Sequence, residues 1–322
     1  MSDAWTWHGG AMAAALRHFG GSDWIDLSTG INPRPWPGTA DMAFDWQRLP
    51  DPAALAALEA AAASFFGVDP HHVCAVPGSE IGLRLVGALI GGPAEHIAPG
   101  YRTHGAMIAG SAPIDRSAAY ATRGTLIIAN PNNPDGYIVD GAAMLELASD
   151  RDGWLLADEA FADTDPAHSV AAAVGDGRRL AVFRSFGKFF GLAGVRLGFV
   201  IAPPALIAAL RDRLGGWPVS AAAIAIGTAA YADQGWIAAA RERLPRDAAA
   251  LDAVLIRHGH QPIGACPLFR LIAVEDARTL FERLARRAIL TRPFAAQPRW
   301  LRIGLPADVH ALARLDAALA DG

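Results

Sequence analysis

From about Leu55 onward, short apolar runs alternate with longer alanine-rich stretches of helical spacing, the pattern expected of an α/β layer structure. Residues 73–76, 125–129, 154–157, 180–183 and 197–201 read as strands. Between them, residues 81–90, 142–148 and 204–214 read as helices. Gly215-Gly216-Trp217-Pro218 is the best boundary signal, because a Gly-Gly pair ends a helix and the later proline prevents its continuation. Beyond it come helices over 221–232 and 236–258, a strand-like run at 268–274 and a helix over 277–287. Strands at 289–291 and 300–303 and a last helix complete the pattern of a small α+β domain. The first 50 residues, rich in Gly, Pro and Trp, read as an arm with little regular structure. The expected organisation is an N-terminal arm (1–35), a large α/β domain with a mostly parallel sheet (36–216) and a small α+β C-terminal domain (217–322).

Composition narrows the class. The chain has 322 residues, enough for about two domains at roughly 100 to 200 residues each. A hydrophobic share of 52 % against 19 % charged residues excludes intrinsic disorder. With 28 basic and 32 acidic residues the formal charge is −4, and no run of like charge occurs, so neither a nucleic-acid nor an anionic-membrane surface is expected. The longest weakly polar stretch, residues 219–232, is broken by Ser220, Gly227 and Thr228 and falls short of the about 20 apolar residues of a bilayer span. Asp3 and His8, with no apolar run between them, argue against a signal peptide. Cys74 and Cys266 stand far apart and write neither a disulfide framework nor a zinc site, which fits a reducing cytoplasm.

One count changes the picture. Lys188 is the only lysine, which leaves 27 of the 28 basic residues as arginine. A guanidinium stays protonated, whereas a buried amine can lose its proton and attack a carbonyl. A single lysine in a chain that elsewhere uses arginine is most simply explained by that chemistry; a surface lysine kept by chance is the plain alternative. Its surroundings are specific: Ser185 stands three residues before it, Arg196 eight after it, and Gly187, Gly191, Gly194 and Gly198 let backbone approach a ligand closely. Three other segments carry candidate chemistry. Asn130-Pro131-Asn132-Asn133-Pro134-Asp135-Gly136 follows one apolar strand, Asp158-Glu159-Ala160-Phe161 ends another, and Gly78-Ser79-Glu80 lies between a strand and a helix.

Together these segments resemble the fold-type I pyridoxal phosphate (PLP) enzymes of the class I and II aminotransferase superfamily. The resemblance implies an aspartate aminotransferase-like α/β fold with PLP as cofactor, bound in the large domain. Lys188 would carry PLP covalently. Ser185 and Arg196 would bind its phosphate, together with backbone N–H groups of Gly78, Ser79 and Glu80. Asn133 would hydrogen-bond the pyridine 3′-oxygen, Tyr101 would stack on the ring, and Asp158 would keep the pyridine nitrogen protonated, making the ring an electron sink. Rival readings fail on residues. Ser185-x-x-Lys188 also fits penicillin-binding proteins and β-lactamases, but their later K-T-G needs a second lysine. Gly187-Lys188 is not a P-loop, since Phe189 replaces the required Ser or Thr. His71-His72 and His258-Gly259-His260 lack a ligand pattern and read as surface or capping residues, so no metal is expected.

The arm narrows the choice further. His8-Gly9-Gly10 and Asp26-Leu27-Ser28-Thr29-Gly30-Ile31-Asn32-Pro33 resemble signatures of the L-threonine-O-3-phosphate decarboxylases of cobalamin synthesis. Arg292 and Arg302 match two arginine positions that this group shares with histidinol-phosphate aminotransferases. The resemblance runs from residue 8 to about residue 306. It implies a cytoplasmic, homodimeric enzyme that decarboxylates L-threonine O-3-phosphate to (R)-1-aminopropan-2-yl phosphate, with an aminotransferase of the histidinol-phosphate type as the alternative. Arg302 would meet the substrate carboxylate and Arg292 its phosphate, with His8 and Asn32 closing over the phosphate and Gly30, Ile31 and Asn133 completing the site. Two residues depart from the pattern. Leu49 stands where many relatives carry a tyrosine that reaches the neighbouring subunit's cofactor phosphate, and Phe161 replaces a tyrosine common in transaminases. A non-catalytic PLP-binding regulator is disfavoured because no DNA-binding segment is present.

Overall fold

The computed structural model describes residues 4–320. They form two compact units: one gathers the described residues up to 34, residues 134–137 and those from 240 onward, and the larger one holds residues 35–133 and 138–239. The chain opens with α1 (Ala4–Trp7), α2 (Met12–Phe19) and β1 (Ile25–Asp26). The first segment thus carries regular structure where little was expected. The reason is tertiary: Ile25 and Asp26 pair in parallel with Ile289 and Leu290, and the rings of Trp5 and Phe19 lie 5.7 and 6.1 Å from that of Phe281. Residues 217–239, expected with the C-terminal part, cluster with the larger unit. Tyr231 there packs its ring 4.9 Å from Phe65 and 5.2 Å from Phe190.

The larger unit alternates helices and strands: α3 (Pro52–Phe66), β2 (Val73–Val76), α4 (Ser79–Ile90), β3 (Ala94–Ile97), α5 (Arg102–Met107), β4 (Ala112–Ile114) and β5 (Thr125–Ala129). Then follow α6 (Gly141–Ser149), β6 (Leu155–Asp158), β7 (Leu180–Ser185), α7 (Phe186–Phe189), β8 (Gly198–Ile201), α8 (Pro204–Leu214) and α9 (Ala221–Ala232). Local chemistry sets several of these starts. Asp51 caps α3 by accepting from Ala53 N at 2.8 Å, with Pro52 in the first turn, and left-handed Gly67 ends it. Helix α10 (Gln234–Arg257) leads into β9 (Pro262–Ile263), β10 (Phe269–Ala273), α11 (Ala277–Ala285), β11 (Ile289–Leu290), β12 (Arg292–Phe294), β13 (Gln297–Gly304) and α12 (Val309–Ala320). There a four-stranded sheet has the order β12-β13-β10-β9.

The seven-stranded sheet of the larger unit has the order β2-β8-β7-β6-β5-β3-β4. It is parallel except for β8, which runs antiparallel to both neighbours. Strands β2, β5, β6 and β8 are buried at every position, which is why they read as continuous apolar runs and not as alternating ones. β3 and β4 escape the hydrophobic pattern because Glu95 and His96 interrupt the first and the second is a short, largely exposed edge strand. Register brings the strand ends level. Ala129 pairs with Asp158, Asp158 with Phe183, Ser185 with Gly198, and Gly198 with Val76. The carboxyl ends of β2, β5, β6 and β7 therefore meet along one edge, where open α/β sheets bind ligands. Among the described residues no helix is long and apolar enough to cross a membrane.

Behind that edge lies a buried ionic group. Arg184 donates to Glu159 at 2.6 Å and to Asp163, and none of the three side chains is more than 2 % exposed. Ser169 Oγ and Val170 N also donate to Glu159, at 2.6 and 2.7 Å. Burial opposes the Arg184 charge, but the two carboxylates outweigh it and hold the guanidinium above its usual range. Removing the cation strands two desolvated anions. Arg184→Met is accordingly expected to destabilise the fold by about 3–5 kcal/mol, whereas Arg48→Met, which breaks only an exposed pair with Asp45, leaves the denaturation midpoint nearly unchanged. Urea unfolding of both variants measures the contrast, and equally small shifts would refute it.

Candidate active site

The carboxyl ends of β2, β6 and β7 lead into Gly78 and Ser79, Asp158, and Ser185 and Lys188, the candidates the sequence placed there. Asp158 closes β6 with its side chain 7 % exposed. Its Oδ1 accepts from Ala160 N at 3.1 Å and its Oδ2 lies 2.9 Å from His104 Nε2. A carboxylate can only accept, so His104 Nε2–H is the donor in this contact. Sequence reasoning missed His104: it follows Tyr101 by three residues and only the turn of α5 sends it under β6. Ser185 ends β7, and Lys188 follows within the single turn of α7, half-buried, with Nζ 5.7 Å from the centre of the Phe161 ring.

The loop after β5 is closed by its own amides. Asn130 donates to Val139 O at 2.9 Å and accepts from Val139 N at 2.9 Å. Asn132 donates to Pro99 O at 3.1 Å. These bonds leave Asn133 half-buried at the strand end beside Asp158's strand. Asn130 and Asn132 are therefore the scaffold of the Asn-rich motif.

At the start of α4, Gly78 adopts φ +92°, and a Cβ there would come within 2.6 Å of Arg196 Nη2. Arg196 is itself left-handed at φ 56°, a conformation that costs an L-residue about 1–2 kcal/mol. A Cβ on Gly198 would lie 2.4 Å from Ser79 N. Gly78 has no side chain to cap the helix, so the first-turn N–H groups of α4 and the guanidinium of Arg196 crowd into one glycine-lined cradle. Helix N-terminal donors plus a cation suit a phosphate. A buried acid on the adjoining strands suits a pyridine nitrogen, so the residues present fit PLP.

Beyond the backbone N–H expected of it, Glu80 contributes a side chain that ties α4 to the segment around α5. Its carboxylate accepts from Tyr101 Oη at 2.9 Å, from Thr103 Oγ1 at 2.8 and 2.9 Å and from Arg84 Nε at 2.7 Å. Tyr101, placed just before α5, is thereby held by its phenol. Burial first, and then the Glu80 charge, push that phenol up to about 12.

The remaining candidates lie in the other unit. Arg292 of β12 and Arg302 of β13 stand directly opposite one another. Arg302 is 3 % exposed, donates to Ser28 O at 2.8 Å and covers the Phe269 ring at 5.0 Å. Burial, followed by the charge of Arg292, pushes its guanidinium down to about 9. The segment around β1 folds onto these strands: Gly304 N donates to Leu27 O at 2.7 Å, and Gly10 N to Ser28 Oγ at 2.7 Å. A Cβ on Gly9 would lie 2.4 Å from Ser28 O, so the His8-Gly9-Gly10 turn requires glycine by contact. His8 is exposed, Ile31 half-buried, and Gly30 and Asn32 buried.

A lysine-bearing turn, a buried acid and a glycine-lined phosphate cradle on one sheet edge define a PLP-dependent enzyme of the aspartate aminotransferase fold. The sequence pattern of the family "Aminotransferase class I and II" matches residues 110–318, and the chain belongs to that family. It is similar to a threonine-phosphate decarboxylase from Sinorhizobium sp, 40 % identical over 97 % of both chains. A second threonine-phosphate decarboxylase, from Pseudomonas aeruginosa, is 39 % identical over 97 % of this chain and 96 % of its own. Among solved structures, histidinol-phosphate aminotransferase from Sinorhizobium meliloti in complex with pyridoxal-5′-phosphate superposes with a TM-score of 0.84. It covers 96 % of this chain and 93 % of its own at 22 % identity, a likeness of fold.

Glu80 also gives the site a pH signature. Burial raises its carboxyl, but the hydrogen bonds from Thr103, Arg84 and Tyr101 and the Arg84 charge outweigh burial and hold it below the usual range. A carboxyl lowered on folding contributes stability above its unfolded pKa and loses it as pH falls through the folded one. The melting temperature of the wild type should therefore drop more steeply from about pH 6 to about pH 3 than that of Glu80→Gln, whose amide does not titrate. Parallel curves would count against a lowered carboxyl.

Proposed function

We propose that the chain is a PLP-dependent decarboxylase of L-threonine O-3-phosphate, yielding (R)-1-aminopropan-2-yl phosphate for the corrinoid side chain. The observation that carries this reading is the near full-length similarity to two threonine-phosphate decarboxylases. The paired guanidinium groups of Arg292 and Arg302 support it, because the substrate carries two anions. The histidinol-phosphate aminotransferases are more distant in sequence than the two decarboxylases.

Gly78, Ser79, Glu80, Ser185 and Arg196 would hold the cofactor phosphate, Tyr101 and Asn133 its ring, and Lys188 its aldehyde carbon. When bound, PLP supplies an electron sink for the pair released at the amino acid's α-carbon. Asp158, desolvated and fixed by His104, keeps a proton at the pyridine nitrogen. Arg302 takes the substrate carboxylate and Arg292, with His8, Asn32, Gly30 and Ile31, takes the phosphate through charge-assisted contacts. Anchored at both ends, the substrate would have a fixed orientation at its α-carbon, and that orientation decides which bond there is broken. Arg302 and Arg292 together would hold the carboxylate in the orientation that favours loss of carbon dioxide over loss of the α-proton. Lys188, its amine released once the substrate's amine has taken its place, would return a proton to Cα.

A cytoplasmic homodimer belongs to the same reading. Trp46 and Leu49 are 78 % and 65 % exposed, large apolar side chains in the segment that relatives turn toward a neighbouring subunit.

Two measurements test the function. Borohydride reduction of PLP-loaded protein followed by peptide mapping should place a single pyridoxyl label on Lys188, and a protein that takes up no label ends the PLP reading. Turnover of threonine phosphate in deuterated water, without any keto acid, should release carbon dioxide and leave one deuterium at the former Cα. Product that appears only with 2-oxoglutarate, alongside glutamate, assigns the enzyme to the aminotransferases instead.

A further inference from the structure

The Asn32 side chain is turned one way by two groups that can only donate. Arg34 N and Arg243 Nη2 both end on Asn32 Oδ1, at 3.1 and 3.2 Å. Neither could face the amide nitrogen, so the oxygen must point toward them and the NH2 toward the other side. Asn32 is 1 % exposed, and no other rotation of the amide satisfies both donors. The backbone bond from Arg34 already closes the turn; the one from Arg243 is additional and reaches in from α10.

Arg243 is in turn fixed. Its Nη1 donates to Asp247 Oδ2 at 2.9 Å, and the same oxygen accepts from Arg34 Nη2 at 2.5 Å. Two guanidinium groups thus converge on one carboxylate and leave a positive charge in excess beside Asn32. An oriented amide NH2 with surplus positive charge behind it is the chemistry that receives an anion.

We propose that Arg243 is a positioning residue of the substrate-phosphate site, locking the Asn32 amide so that its NH2 is the end offered to the phosphate of the amino-acid substrate. This rests on the reading above that Asn32 meets that phosphate. Asp247 holds Arg243 in place, and Arg34 supplies the second donor.

The test uses PLP-loaded wild type, Arg243→Met, Arg243→Lys, Asn32→Ala and the Asn32→Ala/Arg243→Met double variant. Steady-state kinetics with threonine phosphate are compared with spectral binding titrations of threonine phosphate and of unphosphorylated threonine. Arg243→Met should raise KM for threonine phosphate about tenfold with kcat within about twofold, and leave the affinity for threonine unchanged. Arg243→Lys should recover part of the loss. In the Asn32→Ala background, Arg243→Met should add no further loss, since its effect runs through Asn32. Equal weakening of both ligands, or an undiminished effect in the Asn32→Ala background, overturns the proposal. Should Arg243→Met fail to fold, Arg243→Gln is judged by the same two criteria. A wild type that binds both ligands alike overturns the functional reading and this proposal with it; a wild type that discriminates, with an Arg243→Met that discriminates equally, overturns the proposal alone.

Discussion

The contact of Arg184 with Glu159 and Asp163 is the constraint on which the site depends. Glu159 follows Asp158 directly, and Arg184 directly precedes Ser185. The ion pair therefore ties together the two strand ends that carry the buried acid and the lysine turn. Adjacent residues on a strand face opposite ways, so one residue of each pair can serve the structure while its neighbour serves the chemistry. Two buried acids around one arginine also make the arrangement specific: no apolar replacement of the cation alone leaves a neutral interior.

The parts of the molecule that were legible in the sequence are those where local signals and buried packing coincide. β5 and α8 begin and end where the apolar runs do, because β5 is buried throughout and α8 is bounded by Pro204 and Gly215. The Lys188 turn and the Asp158 strand end were legible because each combines an unusual residue with a strand terminus. What stayed hidden depends on partners distant in sequence. His104 reaches Asp158 across 54 positions, and Arg243 reaches Asn32 across 211. Nothing in the neighbours of either residue announces such a contact. The helix and strand of the first segment were hidden for the same reason, since β1 is two residues long and exists through its pairing with β11.

The unit that would carry the substrate residues differs in its electrostatics from the one that would carry the cofactor residues. In the larger unit the acids and the buried arginine already have partners: Asp158 meets His104, Glu80 meets Arg84, and Arg184 meets two acids. In the other, Arg292 and Arg302 sit opposite one another with like charge, and Arg34 and Arg243 share one carboxylate. The first is a scaffold held in readiness. Under the proposed function, that like charge is a tension an anionic substrate would ease, so part of its binding free energy would be release of repulsion.

The same tension makes the medium part of the system. Two opposed arginines, one of them pushed toward its neutral form by burial, do not distinguish a substrate's anionic ends from simple oxyanions by charge alone. Under the proposed function, inorganic phosphate or sulfate in a storage or assay buffer would be a ligand in its own right, stabilising the folded chain by mass action and occupying the place of the amino acid. Affinities and melting temperatures of this protein accordingly have meaning only with the buffer anion and its concentration stated.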